Sequence, residues 1–169
     1  TIAVESRARV RRWVNENLHE HNHEIQQNAA TDTENALPLI CVTMHPEPAG
    51  AFLGPANDFV SGLEKSLGMN IWLQVETNFH QEAILVERFD TSQIPASPRQ
   101  PLQVGSTISV PIQIANFPQK DPQFIAWNKR LLRLDNIRQI QNCNTKSFKV
   151  AVKTVGRWYA SGSVLDENQ

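Results

Sequence analysis

Cysteine is scarce in this chain: Cys41 and Cys143 are the only two among 169 residues. They lie far apart and form no C-x-x-C pair, which argues against both a disulfide framework and a Cys-rich zinc site. The sequence also has no N-x-S/T sequon. A reducing, intracellular setting (cytoplasm or nucleus) is the simpler expectation. Glycine is scarce too, at seven residues, few of them clustered. No G-x-x-x-x-G-K-[ST] loop, G-x-G-x-x-G fingerprint or G-x-S-x-G elbow occurs, so a phosphate cradle and a hydrolase nucleophile elbow are not expected. No apolar run approaches the ~18 residues of a membrane span. The opening "TIAVESRARVRR" has no long apolar region behind its charges and lacks a signal-peptide pattern. The chain starts without Met and closes on a polar "DENQ", as expected of a piece of a longer protein.

Hydrophobic residues make up 40% and charged residues 20%, ordinary globular values. The length suits a single domain over residues 1–169, with residues 1–30 a candidate N-terminal helical arm. The net charge of −1 conceals a segregation. Residues 1–98 hold 6 Lys+Arg against 13 Asp+Glu, a balance of −7, and residues 99–169 hold 10 against 4, a balance of +6. An acidic partner for the basic half explains that asymmetry; so do two halves that face each other.

Val10, Trp13, Val14, Leu18 and Ile25 recur at helical spacing, which predicts a first amphipathic helix. "LPLICVTM" reads as a buried strand, and the proline- and glycine-bearing "HPEPAGAFLGPAND" as a long loop. "FVSGLEKSLG" reads as a short helix capped by Asn57 or Asp58 and stopped by Gly68. "MNIWLQVET" alternates as a strand and is expected to pair with "QEAILVERFD" as a hairpin through "TNFH". "TSQIPASPRQP" is a connector. In "TISVPIQIAN", Ile108, Val110, Ile112 and Ile114 share a face, while Pro111 places the strand at a sheet edge or a bulge. Phe124, Trp127, Leu131, Leu134 and Ile137 suggest a second amphipathic helix running to about Ile140. "FKVAVKTV" and "RWYASGSV" complete a hairpin around Gly156. The expected class is α+β: a mixed, mainly antiparallel sheet with helices packed on one face.

One motif invites a catalytic reading. His19-Glu20-His21-Asn22-His23 satisfies H-E-x-x-H, in which two imidazoles one helical turn apart hold zinc and the Glu acts as general base. On a helical wheel, however, His19, His23 and Glu20 fall roughly 100–200° from Leu18, away from the apolar stripe. A catalytic zinc helix needs its ligands in a cleft with a buried supporting shell. The third ligand would have to come from afar, with His45, His80 and Glu82 as candidates at no recognisable spacing. A solvated polar helix face is the preferred reading. No metal, cofactor or catalytic residue is expected, and a zinc-dependent hydrolase stands as a second alternative. Cys41, inside an apolar strand, reads as a buried inert thiol, and Cys143 as a turn residue.

Residues 117–159 are rich in cations. Lys129, Arg130 and Arg133, with Lys149, Lys153 and Arg157 beside them if the last hairpin packs there, form the candidate partner-binding face. Trp158 and Tyr159 are the candidate aromatic contacts, whereas Phe124 and Trp127 are expected in the core. Cations track phosphates and exposed aromatics stack on bases, so a single-stranded RNA- or DNA-binding domain is the first alternative. Exposed strand edges and Pro-rich loops also suit docking. "LPLICVTM", then "AILVERFDTS", then a long amphipathic helix resembles the HORMA adaptor domains; the resemblance covers short hydrophobic patterns and carries no residue roles. The expected function is a non-enzymatic protein–protein interaction domain, an adaptor or scaffold within a larger intracellular protein or assembly. Its partner is expected to be an acidic protein, with no membrane involved.

Overall fold

A computed structural model describes residues 2–17, 39–89, 102–111, 123–137, 140 and 146–166. The class is α+β, as expected, with three α-helices and eight strands in two mixed sheets among the described residues. Where the length suited one domain, contacts divide the chain into two compact units, Thr1–Pro95 and Ala96–Gln169. Residues 96–98 are uncharged, so the charge break coincides with this border: the first unit carries −7 and the second +6. Among the described residues, no helix is long and apolar enough to cross a membrane.

In unit 1, α1 (Ile2–Asn17) buries Val10 and Val14, the stripe predicted from spacing. Strand β1 (Leu39–Met44) is buried at every position, so it must lie between two neighbours. It pairs in parallel with β2 (Asn70–Val75) and antiparallel with β3 (Ile84–Phe89), giving the order β2-β1-β3. The expected β2–β3 hairpin is therefore wrong. A strand apolar on both faces takes the centre, and the two alternating strands become its flanks. The 76–83 connection crosses the end of β1, where Glu76 N donates to Met44 O at 3.0 Å.

The expected loop after β1 is also a helix, α2 (Pro46–Leu53). Its prolines sit in the first turn, where no intrahelical N–H is needed. His45 caps it, its Nδ1 accepting from Glu47 N at 3.1 Å. A 3₁₀ turn (Pro55–Asn57) then leads to α3 (Asp58–Leu67). Asn57 occupies the cap position in a left-handed conformation without a side-chain capping bond, and Gly68 ends the helix at φ 64° as predicted. Ile40, Val42 and Met44 align with Ile71, Leu73 and Val75, and all are buried.

Unit 2 is a five-stranded sheet in the order β4-β7-β8-β6-β5. β4 (Thr107–Pro111) is an edge strand, the place Pro111 required. The expected second helix is instead a hairpin, β5 (Gln123–Trp127) and β6 (Arg130–Asp135). Asn128 and Lys129, at φ 47° and 62°, supply the two left-handed residues of a tight hairpin turn. β7 (Ser147–Val155) pairs antiparallel with β8 (Ala160–Val164), and β8 pairs in parallel with β6. The inner face packs Val110, Phe148, Val150, Val164, Leu132, Leu134, Ile125 and Trp127 into one core. Gly162 is required there, because a Cβ would lie 2.5 Å from Val150 Cγ1.

Candidate functional site

Strand alternation decides which side chains share the other face of unit 2. Pairing places Ser109 beside Lys149, Thr107 beside Ala151, Ala151 beside Ser163, and Ser163 beside Asp135. The next row runs Thr154, Ser161, Arg133, Phe124. Lys149 is exposed, as is Lys153 at the β7 register shift; Arg133 is half-buried. This outer face carries small and hydroxyl-bearing side chains, with Phe124, Asp135 and the fully buried Leu131 toward its β5–β6 side, and three cations cross it. Among the described residues, none of Arg133, Lys149 and Lys153 has an ion-pair partner.

The other three predicted cations gather at one end of the sheet. The β5–β6 turn carries Lys129, and the turn between β7 and β8 carries Arg157. Gly156 N donates to Tyr159 O at 3.0 Å and closes the second turn. Arg130 ties the two turns together: Nη1 donates to Arg157 O at 3.3 Å, and Nη2 donates to Gly156 O. Its guanidinium thus holds the scaffold. Arg157 lies over the Trp158 ring, 5.6 Å from its centroid. The helix expected to carry Lys129, Arg130 and Arg133 is a hairpin, and the last hairpin adjoins it through the pairing of β8 with β6.

Sequence reasoning missed Phe124. Read as helical, it shared the core face with Trp127; in a strand the two take different environments. Trp127 is 8% exposed in the inner core, whereas Phe124 is half-buried on the outer face. Its ring meets Tyr159 edge to face, with centroids 5.4 Å apart. The signal available was the run Gln123–Trp127 itself, whose β-prone residues precede an Asn-Lys turn. Among the described residues, Trp158 Nε1 and Ser163 Oγ here are buried without a hydrogen-bond partner.

The H-E-x-x-H residues 19–23, and Cys143, lie outside the described residues. Of the conceivable third ligands, His45 Nδ1 is engaged as the α2 cap, and His80 Nδ1 accepts from Glu82 N at 3.2 Å. Among the described residues, no group of three or more His, Cys, Asp or Glu side chains is arranged to hold a metal. Cys41 is buried, with its Sγ 3.9 Å from Thr43 Oγ1. The third element of the HORMA-like pattern is the β5–β6 hairpin rather than a helix. No protein-family model, curated protein or solved structure matches this chain.

Proposed function

We propose that the chain is a non-enzymatic interaction domain of a larger intracellular assembly, and that the outer face of the unit 2 sheet takes an acidic protein partner. The observation that carries this reading is the set Arg133, Lys149 and Lys153 on one face, with no ion-pair partner among the described residues, in a unit of net charge +6. Cations that outnumber the carboxylate Asp135 on the same face raise the local potential and steer an acidic surface toward them.

Binding of a fluorescein-labelled Glu/Asp decapeptide, followed by anisotropy across a salt series, tests the proposal. Saturable binding that weakens as salt rises is expected; none at low salt rules the face out. Single-stranded RNA or DNA is a second reading because the Phe124–Tyr159 pair adjoins Arg133. The edge-to-face arrangement disfavours it, since a half-buried T-shaped pair presents little open ring face for a base. Oligo-dT in the same assay separates the readings: tighter binding than the acidic peptide, lost in Phe124→Ala, replaces the first with the second.

A further inference from the structure

Unit 1 holds a groove of its own, with a volume of about 660 Å³. That lies within the roughly 300–1,000 Å³ typical of small-molecule sites. Its body is apolar: Val4 from α1, Pro48 from α2, Pro55 from the 3₁₀ turn and Phe59 from α3. Val4 and Phe59 are 56% and 45% exposed, so the groove leaves two large apolar side chains to water.

The backbone beneath Phe59 is built for that ring. Gly54 has φ 78°, and a Cβ there would lie 2.4 Å from the Phe59 ring carbons. Ala56 and Asn57 follow at φ 50° and 62°, left-handed positions that cost a non-glycine residue about 1–2 kcal/mol each. A turn of this backbone cost thus seats a half-exposed aromatic ring in the groove wall.

The polar groups stand at the rim. The Arg7 guanidinium lies over Phe59, 4.2 Å from the ring centroid. One of its N–H groups makes a long bond to Ala51 O at 3.4 Å. A guanidinium has five donors in a planar fork, so most of its donor edge remains for a ligand. Stacked Arg with an open in-plane edge is the geometry that takes a carboxylate through two parallel hydrogen bonds. Glu47 also lines the groove, its Oε2 accepting from Gln81 Nε2. That negative charge penalises a dianionic phosphate more than a monoanion.

We infer that this groove binds an apolar carboxylate, its acid on Arg7 and its hydrocarbon body on Phe59, Val4 and the two prolines. NMR titration of the whole chain with octanoate, octanol and octyl phosphate tests this. Octanoate is expected to shift resonances around Phe59 saturably, at least about tenfold more tightly than octanol and more tightly than octyl phosphate. Arg7→Gln brings octanoate down to the octanol level, and Arg7→Lys, which keeps the charge and loses the fork, falls between. Equal binding of octanoate and octanol by the unaltered chain overturns the inference without recourse to a variant. So does tighter binding of octyl phosphate, or the absence of any saturable shift at the groove.

Discussion

Gly54 and Arg130 each occupy a position that other residues fill badly, for two different reasons. Gly54 combines a positive φ with a ring lying where a Cβ would go. Gly54→Ala should destabilise unit 1 by at least about 2 kcal/mol, read as a lower urea midpoint at unchanged slope. Arg130 satisfies two backbone carbonyls of the neighbouring turn. Arg130→Gln should cost about 1–2 kcal/mol and lower the amide protection of residues 156–159, even without any partner. For that reason Arg130 is a poor site for charge reversal, since lost binding there would not separate from a loosened turn. Ser163 is the converse case, a buried hydroxyl with no hydrogen-bond partner among the described residues. Ser163→Ala should leave the chain as stable or raise its stability by up to about 1 kcal/mol in urea unfolding. A clear loss of stability would show that the hydroxyl is bonded.

At the level of elements, Phe124 and Trp127 report whether 123–135 is a hairpin or a helix. Trp127→Ala empties the inner core and should cost about 3–5 kcal/mol. Phe124→Ala loses a half-buried edge-to-face pair, and about 1–2 kcal/mol is expected. Comparable losses in thermal or urea unfolding would indicate the helix. The helical expectation arose because Phe124, Trp127, Leu131 and Leu134 are spaced three and four apart, a pattern two strands joined by a two-residue turn also produce. Only the left-handed Asn128 and Lys129 break the tie, and a lysine does not advertise positive φ. Elements with a clean period were legible: α1 by Val10 and Val14, β2 by Ile71, Leu73 and Val75, β7 by Phe148, Val150 and Val152. Pairing was less so. That β2 lies beside β1 rather than β3 depends on which strand is apolar on both faces, and "LPLICVTM" held that information in its unbroken apolar run. The candidate face was half legible. Exposed Lys149 and Lys153 followed from alternation in β7, whereas the structural use of Arg130 and the outward place of Phe124 required the true pairing of β5, β6 and β8.

Across the whole molecule, charge divides where contacts divide. An acidic unit of −7 and a basic unit of +6 meet in one chain, so near-zero net charge says little about either surface. The non-enzymatic reading also makes a metal prediction. Protein purified without a His tag should carry far less than one zinc per chain by elemental analysis, and stoichiometric zinc lost in His19→Ala with His23→Ala would restore the hydrolase alternative. The central claim is that the outer face of the unit 2 sheet is the contact surface. Its most direct test is anisotropy of the labelled acidic decapeptide with the chain bearing Arg133→Glu, Lys149→Glu and Lys153→Glu, alongside a control bearing Arg11→Glu and Arg12→Glu, two exposed cations of α1. Affinity should fall about tenfold or more for the first and change little for the second. Unchanged binding in the first, or an equal loss in both, would contradict it.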